Sequence, residues 1–148
     1  MRGWYDLSID PGVNTGWALF GESTLLVACG AGGPPFEAPP VLNRVVIELP
    51  QVYPGDPVPP QDLITLSFQA GQYARAGVVR TAQVSVVFPH AWKGNLPKKV
   101  CAARVRGHLS PDERMIVDKL EPGVPAGQMH NVMDAIGIGL FAFRKVRI

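Results

Sequence analysis

Tyr5, Leu7 and Ile9 alternate with Asp6, Ser8 and Asp10. A period of two is the mark of a strand with two unlike faces, so the pattern predicts a strand ending at Asp10. The apolar runs GWALFG and TLLVACG follow at turn-length separations, and the first thirty residues therefore predict a three-stranded meander. Nine of the fifteen prolines then fall between positions 34 and 60. Proline fixes φ and lacks a donor, so GGPPFEAPP and PQVYPGDPVPP must be loops. Between them, NRVVIE has the near-continuous β-branched character of a strand buried on both faces, with Glu48 at its end.

Beyond Pro60 the period changes. Leu63, Leu66, Ala70, Tyr73 and Ala74 recur at helical spacing and Asp62 suits a first turn, predicting an amphipathic helix over 62–77. AQVSVVFP predicts another strand. PKKVCAARVRGHL and SPDERMIVDKL read as two short helices, the second with Ser110 as N-cap and Pro111 in its first position. The closing helix, MHNVMDAIGIGLFAF, sets Val132, Met133, Ile136, Leu140 and Phe143 on an apolar stripe, with His130, Asn131 and Asp134 on a neighbouring face. The elements amount to an α/β chain, and 148 residues suit a single domain over 1–148.

Composition narrows the classes. No apolar run approaches the roughly 20 residues a membrane helix requires, and the first residues enter a strand pattern with no signal-peptide core, so no membrane partner and a cytoplasmic setting are expected. Cys29 and Cys101 lie far apart without a CxxC spacing, which reads as two reduced core thiols. The net charge is only +2, but residues 1–70 hold two bases against seven acids and residues 71–148 hold twelve against five. Lys93, Lys98, Lys99, Arg104 and Arg106 fall within one acid-free stretch, a pattern that suits a polyanion or simply a solvated basic face.

Three carboxylates stand out by position: Asp10 and Glu48 at strand ends, Asp134 on the last helix. Each alone has a plain reading, as a turn initiator, a surface ion pair or a solvated helix residue. Together, flanked by apolar sequence, they call for a compensating cation. Oxygen-only donors favour Mg²⁺ or Mn²⁺, and two such ions about 4 Å apart can hydrolyse a phosphodiester. The three histidines are dispersed, which disfavours zinc.

Taken in order, IDPGVNTGWALF, VVIELPQVY and HNVMDAIGIGLF, flanking a strand-helix-strand middle, resemble the RuvC family of Holliday-junction resolvases, within the RNase H-like (retroviral integrase) superfamily. The resemblance implies an RNase H-like fold with a central mixed five-stranded sheet, its first three strands antiparallel, flanked by helices. It implies a homodimer, bacterial or phage-encoded, that cuts four-way DNA junctions symmetrically with two divalent metal ions. Asp10, Glu48 and Asp134 correspond to metal ligands, Lys93 and one of Lys98 or Lys99 to basic residues near the scissile phosphate, and the 62–77 helix to the dimer interface. Tyr53 falls where the family carries an aromatic that stacks on an opened base, and Lys99, Arg104 and Arg106 extend the basic DNA-binding face. Three residues before the last aspartate the family carries an acid or histidine. Here Asn131 stands there, with His130 one position earlier, and either can lie on the face of Asp134 as fourth ligand. Asp-x-Gly followed by Thr-Gly also resembles the ATP loop of the actin and sugar-kinase superfamily, but those proteins need two such domains, so no nucleotide cofactor is expected. The same core acting on other branched DNA or RNA, or holding junctions without cutting them, are the competing functional readings.

Overall fold

The computed structural model describes residues 3–55 and 57–148. Its sheet has the order β3-β2-β1-β4-β5, built from β1 (Tyr5–Asp10), β2 (Gly16–Phe20), β3 (Leu26–Ala31), β4 (Leu42–Glu48) and β5 (Gln83–Val87). The first three strands pair antiparallel, as short turns require, while β4 and β5 join in parallel through a crossover. That crossover is α1 (Pro60–Val79), and α2 (Pro89–Lys93), α3 (Lys98–Gly107), α4 (Pro111–Leu120) and α5 (Met129–Arg144) follow β5. This is the mixed five-stranded, helix-flanked sheet expected of an RNase H-like fold. The short α2 was not foreseen; Pro89 at its first position and Gly94 with positive φ after its end bound it.

Strand alternation sorts side chains between two cores. Leu7, Ile9, Leu19, Val45 and Ile47 pack on one face with Ala70, Tyr73 and Ala74 of α1. Ala18, Phe20 and Val46 pack on the other with Trp92, Cys101, Val105, Val117 and the buried stripe of α5. The predicted stripe of α5 is buried throughout, and Ala135, Gly137, Ile138 and Gly139 are buried as well, so the helix is enclosed on more than one side. Small residues permit this. A Cβ on Gly137 would lie 2.4 Å from the Trp92 ring, and one on Gly16 would lie 2.0 Å from the backbone oxygen of Asn131. The Ser8 hydroxyl, fully buried, donates to the Ala135 carbonyl at 2.6 Å and ties the central strand to α5.

Ser110 caps α4, and Glu113 completes a capping box by accepting from the Ser110 N–H at 2.9 Å. Both cysteines are buried free thiols, with burial pushing each pKa up to about 11. Among the described residues, no helix is long and apolar enough to cross a membrane.

Candidate metal centre and nucleic-acid interface

The register of the sheet builds the site. Ile9 of β1 pairs with Ile47 of β4 and both face α1, so the next residues, Asp10 and Glu48, lie side by side on the α5 face. Asp134, in the second turn of α5, supplies a third carboxylate from above the sheet. The three sense one another. Burial is the first cause that raises the Asp10 pKa well above its ordinary value, followed by repulsion from Glu48 and Asp134 and a proton-sharing contact with Glu48. Burial raises Glu48 too, with Asp134 adding to the shift while Lys93 and a hydrogen bond from Trp92 oppose it.

Two neighbours hold these groups. The Trp92 indole, 1% exposed, donates to Glu48 Oε2 at 2.6 Å. Lys93 Nζ lies 2.9 Å from Asp134 Oδ2 and 4.8 Å from the Trp92 ring centroid. Burial disfavours the Lys93 ammonium, yet Asp134, Glu48 and Asp10 outweigh it and leave its pKa above the ordinary lysine value. A cation already belongs to this cluster, in the form of an ammonium. Among the described residues no three of His, Cys, Asp and Glu form a ready ligand cage. Glu48 is turned to the indole and Asp134 to the ammonium, which accounts for the open arrangement. The donor set nonetheless fits a hard divalent ion: three clustered carboxylates, one buried among like charges, with only oxygen offered.

The other predicted site residues separate into groups. Asn131, in the first turn of α5, sits with its backbone against Gly16, the strand partner of Asp10. His130 instead lines a cavity of about 300 Å³ between α3, α4 and α5, together with Lys98, Lys99, Arg106 and Met133. Lys98 and Lys99 are exposed at the start of α3. Arg106 pairs with Asp118 of α4, and Arg104 donates to the Ile148 carbonyl at 3.2 Å, so the acid-free sequence stretch is not acid-free in space. Tyr53 is half-buried, its hydroxyl 3.0 Å from the side-chain oxygen of Gln51 in its own loop.

Sequence reasoning missed Trp92 as the partner of Glu48, although a buried indole N–H regularly finds an acceptor. It also missed the contacts that α1 makes with the turn after Asp10, where Gln69 Nε2 donates to the Gly12 carbonyl at 3.0 Å and the Tyr73 hydroxyl meets Thr15 Oγ1 at 2.9 Å.

No family model matches the chain, and no curated protein matches it. Solved structures do. RuvC of T. thermophilus in complex with a Holliday junction substrate matches with a TM-score of 0.61 at 18% identity, over 93% of this chain and 90% of that one. The fowlpox virus resolvase in complex with Holliday junction DNA matches with a TM-score of 0.56 at 15% identity, over 95% of this chain and 99% of that one. The chain therefore has the RNase H-like fold of the RuvC-like junction resolvases.

Proposed function

We propose that this protein is a structure-selective endodeoxyribonuclease that resolves four-way DNA junctions by divalent-metal-dependent phosphodiester hydrolysis. The observation that carries the reading is the gathering of Asp10, Glu48 and Asp134 from β1, β4 and α5 into one electrostatic cluster, within a fold shared with resolvases solved on junction DNA. Asp10, Glu48 and Asp134 would hold the ions, Mg²⁺ or Mn²⁺ and two per site, with the Asn131 carbonyl oxygen as a further donor. Once bound, such ions activate water and stabilise the leaving oxygen.

The chain's own groups do the rest. Trp92 fixes Glu48 through its Oε2. Lys93 neutralises Asp134 in the resting protein and, on a long flexible stem, can turn its ammonium to a phosphate oxygen when the aspartate is engaged elsewhere. Lys98 and Lys99 supply sequence-independent phosphate contacts. Ile64 and Phe68, four residues apart on the outer face of α1 and 62% and 69% exposed, support assembly of a two-fold homodimer through that helix, giving two equivalent sites for a two-fold junction.

The test is cleavage of a synthetic four-way junction beside forked, flapped and linear duplexes with Mg²⁺ or Mn²⁺, together with light scattering at micromolar concentration. Paired symmetric nicks confined to the junction, from a dimer, are expected. Equal cutting of forks or flaps would move the substrate to branched nucleic acid in general. Tight junction binding without cleavage would favour a junction-holding protein, the reading motivated by Asn131 standing where an acid or histidine is usual. Cleavage of both strands by a monomer would contradict the dimer.

A further inference from the structure

The turn from Pro11 to Thr15, which joins Asp10 to its strand partner Gly16, contains neither helix nor strand. Its support comes from 54 to 58 residues away in sequence. Gln69 and Tyr73 are four apart on α1 and so share one face of the helix. Gln69 Nε2 reaches the Gly12 carbonyl at 3.0 Å, Thr15 Oγ1 at 3.3 Å and the Tyr73 hydroxyl at 3.3 Å. Thr15, 3% exposed, places its hydroxyl 3.1 Å from the Gly12 carbonyl and 2.9 Å from the Tyr73 hydroxyl. The Tyr73 ring is fixed in turn by stacking on Phe36, with centroids 6.1 Å apart. The polar atoms of helix and turn thus close one network around a single backbone carbonyl two residues beyond Asp10.

We infer that Gln69, Tyr73 and Thr15 are positioning residues that hold the Asp10 turn in its metal-binding conformation, so that α1 supports the catalytic centre as well as the sheet. This rests on the nuclease reading and adds to it a set of residues that would act through the Asp10 turn. A core contact between α1 and the sheet needs only apolar side chains, and Ala70 and Ala74 provide them. A partly buried polar network that terminates on the turn has a narrower use, because each donor there has a directional requirement.

The test titrates Mn²⁺ into the free full-length protein by calorimetry, and measures junction cleavage against metal concentration, for wild type, Gln69→Leu, Tyr73→Phe, Thr15→Val and Thr15→Ser. Partners that orient metal ligands typically change affinity by about 10–100-fold when removed. Weaker Mn²⁺ binding by about tenfold is expected in Gln69→Leu and Thr15→Val, less in Tyr73→Phe, with Thr15→Ser restoring the wild-type value. Cleavage at saturating metal should fall less than cleavage at limiting metal, and junction affinity should be unchanged. Lower thermal stability with unaltered Mn²⁺ affinity in Tyr73→Phe and Thr15→Val, the mildest changes, would overturn the inference and reduce the network to ordinary packing. Wild-type protein that neither binds Mn²⁺ nor cleaves would instead overturn the nuclease reading on which it rests.

Discussion

Two buried carboxylate centres lie at opposite ends of α5, and their surroundings differ in sign. Near its end, Glu113 is 3% exposed and meets only donors: the Leu26 N–H at 2.7 Å, the Ser110 N–H at 2.9 Å and the Arg144 guanidinium. Burial opposes its charge, but those bonds prevail and hold its pKa below the ordinary value. Near the start of α5, Asp10 is 9% exposed, and burial followed by repulsion from Glu48 and Asp134 outweighs the opposing Lys93, so its pKa moves the other way. Burial of an acid is therefore no guide to function by itself. A carboxylate surrounded by donors strengthens the fold, whereas carboxylates gathered against one another are a strain that a proton or a cation relieves.

Exchanging the two centres should separate activity from stability. Asp10→Asn, Glu48→Gln and Asp134→Asn should each lower junction cleavage by more than the roughly hundredfold that loss of an outer-sphere partner costs, while junction binding persists; thermal stability should hold or rise in Asp10→Asn, which removes like-charge repulsion, and fall in Asp134→Asn, which leaves the Lys93 ammonium without its ion-pair partner. Glu113→Gln should do the opposite, leaving the Arg144 charge buried and unpaired at a cost of about 3 kcal/mol, with cleavage per folded molecule unchanged. Circular dichroism melts beside gel cleavage assays would check both, and retained cleavage in any of the first three would remove that residue from the site.

Stability against pH should show the same contrast. The folded pKa of Asp10 is raised, so the protonated form is favoured on folding: its contribution is complete below the ordinary aspartate value of 3.8 and is lost as pH rises through the raised value. The folded pKa of Glu113 is lowered, so its contribution is present above the ordinary value of 4.5 and is lost as pH falls through the lowered one. Metal-free wild type should lose thermal stability on both sides. Asp10→Asn should flatten the decline towards higher pH and Glu113→Gln the decline towards acid. A profile unchanged in either variant would contradict the assignment for that centre.

Much of the fold and part of the site are legible in the chain. Alternation in YDLSID ends the first strand at Asp10, and the apolar run before Glu48 ends the fourth, because period and chain breakers are local properties. The α1 helix is longer than the 62–77 expected, since Pro60 is tolerated at a first helical position. Partners across the molecule are not legible. Nothing near Glu48 in sequence announces Trp92, nothing near Gly12 announces Gln69, and Arg106 meets an acid twelve residues away that the basic stretch itself does not contain. The Lys93–Asp134 pair joins two residues that their motifs assign to one site for separate reasons.

Smaller effects are expected on the basic side. Lys98→Ala with Lys99→Ala should weaken junction binding and lower the log-log salt slope by about 0.9 for each phosphate no longer neutralised; an unchanged slope would mean that both lysines face away from DNA. Smaller still is the choice of fourth ligand. The Asn131 backbone lies against Gly16, the strand partner of Asp10, whereas His130 lines the cavity that Lys98 and Lys99 also line. Asn131→Ala should therefore raise the Mg²⁺ requirement more than His130→Ala, and Asn131→Asp should lower it by adding charge. The reverse order, most pronounced in Mn²⁺, would make the histidine the ligand.

Whether the cluster of Asp10, Glu48 and Asp134 is a cation site, balanced by Lys93 until a metal ion arrives, can be read from anomalous diffraction by crystals of the full chain grown with Mn²⁺. An anomalous peak bounded by those three carboxylates is expected, with the Lys93 ammonium withdrawn from Asp134. A peak elsewhere, or none, with the Lys93–Asp134 pair intact at saturating Mn²⁺, would show that the three carboxylates are not a metal centre.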